Sequence, residues 1–243
     1  MMGYTHVTSG LVTGIATLPI APVHHWSTQV AWVITLGGAS LLPDLDAPGS
    51  TAARMWGPPT RLLARAIGIL ARGHRQGTHD ILLAPTVFGG VMFLAALHPA
   101  SLGVVLALMI GMSLRGLALA GVGGVGAVLN LAASTAGAWW LVTHGAAELR
   151  LLPVVVAAGI LVHVLGDWVT TGGIPVPVTW LTTNPRRLSL DLFRVGGILE
   201  RAVVAPALSL AGILLLVTQL GIHDIPSLVD WSGSLVRHLA GTT

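Results

Sequence analysis

Aspartates, alone or with histidines, cluster at three places in this chain, at spacings that suit a divalent ion. The first is DxD in LLPDLDAPGS, where Asp44 and Asp46 lie between Pro43 and Pro48. Two prolines so close predict an irregular turn. An extended DxD sends its carboxylates to opposite faces, whereas a turn can bring both onto one ion; a polar turn that ends a helix is the other reading. The second is ARGHRQGTHD, with His74, Arg75, His79 and Asp80. Its i,i+5 spacing does not set both imidazoles on one helix face. Gly77 predicts a turn between them, with Thr78 as the N-cap of a following helix, so that His74 points from a loop and His79 from a helix start. A polar interfacial loop without a ligand is the alternative. The third is HxxxD in ILVHVLGDW, with His163 and Asp167. Residues four apart stack on one helix face, and two ionisable groups inside an apolar stretch are costly. They can share an ion, or form a hydrogen-bonded pair that locks helix packing. His6, in YTHVTSG, is incidental unless the fold carries it to the others.

Imidazoles and carboxylates without thiolates suit zinc, manganese, iron or magnesium. The chain has no cysteine, which also excludes disulfides and thiol nucleophiles. Seven donors are too many for one tetrahedral site that keeps a position for water; they suit two ions or three. Paired ions ~3.5–4 Å apart stabilise the attacking and leaving oxygens of phosphoester hydrolysis and make water acidic enough to attack at neutral pH. Arg75 could hold a phosphate oxygen with its guanidinium.

These residues must be positioned by apolar elements. Of 243 residues, 53% are hydrophobic and 9% charged, against roughly 25% charged in soluble domains; the mean hydropathy is +0.83. This is the composition of a polytopic membrane domain. Candidate spans are Val7–Ala21, Thr28–Leu42, Asp80–His98, two within Ser101–Thr143 split near Arg115–Gly116, Leu151–Thr170 and Ala202–Leu220, seven in all. Arg61–Arg72 reads RLLARAIGILAR, which suits a helix lying in the membrane interface or an ordinary solvated loop helix. The 12 basic residues are all arginine and the net charge is only +3, so nucleic-acid binding by bulk charge is not expected. Arg54, Arg61, Arg65, Arg72 and Arg75 fall in one connection, Arg186, Arg187, Arg194 and Arg201 in another, and only Arg150 and Arg237 clearly on the other side. The positive-inside rule puts the arginine-rich loops and the N-terminus in the cytoplasm. His6, Asp44, Asp46, His74, His79 and Asp167 then emerge at that face, with His163 about one turn deeper and Glu200 opening the last segment. His24, His25, His98, His144 and His223 fall on the opposite face, and His238 in the tail; all six are read as non-catalytic.

The ordered set THxxxG (Thr5, His6, Gly10), LPDLD (Leu42–Asp46), HRxxTH (His74, Arg75, Thr78, His79) and HxxxD (His163, Asp167) resembles the LexA-regulated, membrane-bound metal-dependent hydrolase family, also called YdjM-like. The resemblance runs from roughly Thr5 to Glu200. That family is similar in its His/Asp pattern to the zinc-dependent phospholipase C and single-strand nuclease superfamily, which implies a mostly helical core with a multi-zinc site that cleaves phosphoesters. By this resemblance His6, Asp44, Asp46, His74, His79, His163 and Asp167 would be metal ligands. Glu200, in FRVGGILE, would be a ligand or a base. The family segment HRG-x-THS reads HRQGTHD here: the glycine moves to position 77 and Asp80 replaces the serine. Asp80 would then be an extra ligand or a partner that orients His79.

The expectation is an all-α, polytopic membrane helix bundle of about seven spans, with an interfacial helix and a metal cluster at the cytoplasmic face. Residues 1–220 would form one integral membrane domain and 221–243 a C-terminal tail. The expected activity is hydrolysis of a phosphoester in a lipid-linked substrate by metal-activated water. Two or three zinc ions, or manganese or magnesium, would be the cofactor, and Arg75, Asp80 and Glu200 would assist catalysis. The bilayer and a lipid-linked phosphate are the expected partners. A transporter or channel that uses the same cluster for metal or proton movement is the rival; it would spread its polar residues through the bilayer rather than gather them at one face.

Overall fold

Prolines and capping groups mark where the helices begin. Pro58 and Pro59 open α3 (Pro58–Leu70) after Gly57, and Pro99 opens α5 (Pro99–Gly116), where His98 Nδ1 accepts from the Ala100 N–H at 3.2 Å. A proline in the first turn loses nothing there, because its missing N–H would be unpaired anyway. The same device starts α7 (Leu152–Trp168), whereas the proline near the start of α8 (Ala205–Gln219) follows a helical turn already under way. The remaining helices are α1 (Gly3–Thr17), α2 (Trp26–Ala39), α4 (Leu83–Ala95) and α6 (Gly123–Gly145). This computed structural model describes residues 1–121, 123–145 and 148–222, with 227, 230–234 and 237. The expected tail, with His223 and His238, lies largely outside them.

Each expected span holds a helix, and the break near Arg115–Gly116 is the turn between α5 and α6. Four helical stretches among the described residues are long and apolar enough to cross a membrane: Pro99–Gly116, Gly123–Gly145, Glu148–Trp168 and Glu200–Gln219. Helix α4 is apolar but shorter. Between α7 and α8 the otherwise helical chain makes a minimal antiparallel hairpin, β1 (Ile174–Pro175) with β2 (Arg187–Leu188), in which Ile174 faces Leu188. Helix α8 is entered through a π-helical turn, Glu200–Val204.

Helix α2 is the hub and touches α1, α5, α6 and α7. Its neighbours come close because glycine lines the seams. A β-carbon on Gly10 would lie 2.5 Å from the Leu36 carbonyl oxygen, and one on Gly159 would lie 2.6 Å from Ala39 Cβ. Small residues at such crossings let membrane helices pack backbone to backbone. The core around α2 includes Val7, Leu36, Leu41, Met109 and Ile160, all buried. Helix α3 lies against the 3-10 turn Pro43–Asp46 and exposes Leu62, Ile69 and Leu70 beside Arg61 and Arg65, a surface suited to a membrane interface.

Candidate metal centre

Five separate stretches deliver the polar residues to one end of the bundle. His6 lies in the first turns of α1 and Asp44 and Asp46 in the 3-10 turn after α2. His74 and Arg75 lie in the α3–α4 loop, His79 in the 3-10 turn Gly77–His79, and His163 and Asp167 near the end of α7. The ligand atoms fall into three overlapping groups, in each of which they lie within 4.8 Å of one another: His6, Asp44 and His163; Asp44, His74 and His79; His79, His163 and Asp167. Shared members join the groups into one cluster.

Hydrogen bonds select the tautomers. His163 Nδ1 lies 2.7 Å from the Ser40 carbonyl oxygen, to which it can only donate. Thr78 Oγ1 donates to Asp46 Oδ2 at 2.5 Å, so at 3.0 Å it accepts from His79 Nδ1. Both imidazoles thus keep an unprotonated Nε2, and these two nitrogens face each other at 3.1 Å. Two lone pairs at that distance repel unless a cation lies between or beside them. The carboxylate oxygens that complete the setting are Asp44 Oδ1, 3.8 Å from His79 Nε2, and Asp167 Oδ2, 3.6 Å from it. His163 Nε2 is 3.9 and 3.7 Å from the same two oxygens. His6 stacks on His163 with ring centroids 3.7 Å apart; its Nε2 lies 3.3 Å from Asp167 Oδ1 without a well-directed hydrogen bond, and its buried Nδ1 has no partner among the described residues. Buried polar atoms are rarely left so. The residues present therefore fit a bound divalent ion.

Asp46 takes another part. Its Oδ1 lies 2.6 Å from His74 Nδ1, and its Oδ2 accepts from the Arg75 backbone N–H at 3.1 Å as well as from Thr78. Burial opposes the Asp46 charge, but bonds from His74, His79 and Thr78 outweigh it and hold the carboxyl below the usual range. The bond to Asp46 in turn raises the His74 pKa above its ordinary value, against the effect of burial. Asp46 is placed to orient His74 and Thr78, as carboxylates behind metal-binding imidazoles do, while Asp44 points at the cluster. Asp44 is partly exposed and His74 exposed, so the cluster opens to the surface on their side.

Arg75 adopts φ +60°, which is uncommon for a residue with a side chain. Its Nη2 meets Asp167 Oδ2 at 3.0 Å. The Met1 amino group reaches the other Asp167 oxygen. Arg75 occupies space left by Gly172, where a β-carbon would fall on its guanidinium.

Two expected helpers stand apart from the ligand groups. Asp80 Oδ1 accepts from the N–H groups of Leu82 and Leu83 at the start of α4, at 2.9 and 3.1 Å. Its Oδ2 accepts from Val178 N–H and Trp180 Nε1, at 2.7 and 2.9 Å. It therefore takes the capping role expected of Thr78 and braces the α7–α8 loop. Glu200 accepts from Met2 N–H at 2.6 Å and Gly196 N–H at 2.7 Å, so both its oxygens hold backbone. Sequence reasoning missed Ser40, Gly172 and Trp180. Ser40 acts through its carbonyl, which any residue offers. Trp180 lies over Gly77, where a β-carbon would approach the ring to 2.9 Å; this gives the displaced glycine its reason. Among the other histidines, His98 caps α5 and His144 stacks on Trp140 at 4.8 Å; neither joins the cluster.

No curated protein and no solved structure matches the chain significantly. The model of the YdjM inner membrane protein family matches residues 1–222, and the chain belongs to that family.

Proposed function

We propose that this membrane protein is a metal-dependent hydrolase that cleaves a phosphoester of a lipid-linked substrate at the cytoplasmic face. The facing Nε2 lone pairs of His79 and His163, 3.1 Å apart beside Asp44 and Asp167, carry this reading. His6, Asp44, His74, His79, His163 and Asp167 would hold two or three divalent ions, zinc first by their nitrogen and oxygen donors, with manganese or magnesium as substitutes. Ions so held supply Lewis acidity and a water acidic enough to attack phosphorus at neutral pH.

The chain's own groups do the rest. The Arg75 guanidinium sits at the cluster and can take a phosphoryl oxygen in place of Asp167 Oδ2. Asp46 keeps His74 and Thr78 in position. Exposed Leu62, Ile69 and Leu70 on α3 and exposed Leu82 beside Asp80 provide an apolar surround for a lipid tail, while the head group reaches Asp44 and His74.

The test begins with metal content of the detergent-purified protein. The wild type is expected to hold about two equivalents or more, and His163→Ala and Asp44→Ala to lose at least one, in line with a paired-ion site. Unchanged metal in both variants refutes the centre. Chelator-sensitive release of phosphate or a phosphorylated head group from a lipid then tests the activity. Metal uptake by proteoliposomes without hydrolysis would instead establish the transporter.

A further inference from the structure

A second polar feature lies between α3, α5 and α6. Arg54, Arg61 and Arg115 line one cleft of about 500 Å³, with Trp56, Gly123 and Val128 among its other walls. No carboxylate lines it. Arg115 gives one N–H to the Gly121 carbonyl at 2.8 Å, a neutral partner that does not offset its charge. Three guanidinium groups around one space, without a counter-charge, select an anion, and their planar donors match phosphate oxygens.

The cleft is braced. Trp56 Nε1 donates to Asn130 Oδ1 at 2.9 Å, and Asn130 Nδ2 donates to the Gly111 carbonyl at 2.9 Å. This fully buried amide ties the arginine-bearing loop to α5 and α6. An apolar furrow continues from the cleft along α6, past Val128, Leu131, Thr135 and Trp139. Trp56, Leu131 and Trp139 also line the adjoining groove between α5 and α6. From Val128 to Trp139 the helix rises about 16 Å at ~1.5 Å per residue, close to half of the ~30 Å hydrocarbon core. A free phosphate would use only the cleft; a phospholipid uses the cleft and the furrow.

We propose that Arg54, Arg61 and Arg115 bind the phosphate of an anionic phospholipid whose acyl chain lies along α6. This lipid site is separate from the metal centre and does not depend on it.

Native mass spectrometry of the full chain, released from nanodiscs containing phosphatidylglycerol and phosphatidylcholine, reads the site directly. Wild type is expected to retain phosphatidylglycerol over phosphatidylcholine. Retention should fall about fivefold for each arginine changed to glutamine at positions 54, 61 and 115. A control with Arg65, Arg186 and Arg187 changed to glutamine removes equal charge and should retain the lipid. Arg61→Gln alone, an exposed change, gives the same reading should the triple variant fold poorly. Leu131→Asn should weaken retention through the furrow. Equal loss in the control overturns the site in favour of diffuse surface attraction. Thermal stabilisation by millimolar inorganic phosphate, with no lipid preference, overturns the lipid in favour of a free anion.

Discussion

An imidazole binds a metal ion through the nitrogen that carries no proton, so the partner of its other nitrogen decides whether it can serve. For His79 that partner is Thr78, which relays a hydrogen bond on to Asp46. Thr78→Val keeps the shape and removes the relay, freeing His79 to turn or change tautomer. The expected result is a 10–100-fold loss of metal affinity, the usual effect of removing such a support, with Thr78→Ser close to wild type; competition with a chromophoric chelator measures it. Arg75 depends on its surroundings in a different way. A β-carbon at Gly172 meets only the far end of a flexible side chain, so Gly172→Ala should leave stability nearly unchanged while moving the guanidinium off Asp167. Phosphoester hydrolysis should fall to the level of Arg75→Lys, which keeps the charge and loses the forked donor geometry, while bound metal stays at the wild-type level. Full hydrolysis in both variants would remove Arg75 from the reaction.

The seam between α1, α2 and α7 sets the spacing of His6, Ser40 and His163, and glycine sets the seam. Gly10→Ala forces a methyl group against the Leu36 carbonyl and Ser40 Oγ, at 2.5 and 2.6 Å, where no flexible side chain can yield fully. Overpacking of this kind costs about 1–3 kcal/mol. Thermal unfolding in detergent should show that loss together with reduced metal content, whereas Gly90→Ala, with nothing within 4 Å of its new carbon, should show neither. Elements of this kind were largely legible from composition, because apolar length, first-turn prolines and the Arg115–Gly116 break are local signals. HxxxD was legible for the same reason: i,i+4 is a property of one helix. The division of labour in DxD was not. Asp46 is claimed by His74 and Thr78, 28 and 32 residues away, and Asp44 is left to face the cluster. Nor could local spacing show that Asp80 would displace Thr78 as the cap of α4, since Val178 and Trp180, about a hundred residues on, fix it there. The hairpin β1–β2 left no signal either, because two-residue strands are too short to show alternation.

At the scale of the whole molecule the argument turns on sidedness. His6, Asp44, His74, His79, His163 and Asp167 share the end of the bundle that carries Arg54, Arg61, Arg65, Arg72 and Arg75, and the α7–α8 loop adds Arg186, Arg187 and Arg194. Arginine retained on the cytoplasmic side is the strongest determinant of orientation in short loops. That end should therefore face the cytoplasm, and a lipid-linked substrate should be attacked from the inner leaflet. Because the chain has no cysteine, each introduced thiol is its sole labelling site. Ser189→Cys lies in the exposed α7–α8 loop, and Ala100→Cys lies exposed at the start of α5, at the opposite end. In intact cells whose outer barrier is opened, a membrane-impermeant maleimide should label Cys at 100 and spare Cys at 189. After the inner membrane is disrupted, both should react. The reversed pattern would place the cluster on the outer face, and a cytoplasmic reaction would then be untenable even with every ligand confirmed. Labelling of both before disruption would mean that α5, α6 and α7 do not span as assigned, since all three must cross for the two positions to lie in different compartments.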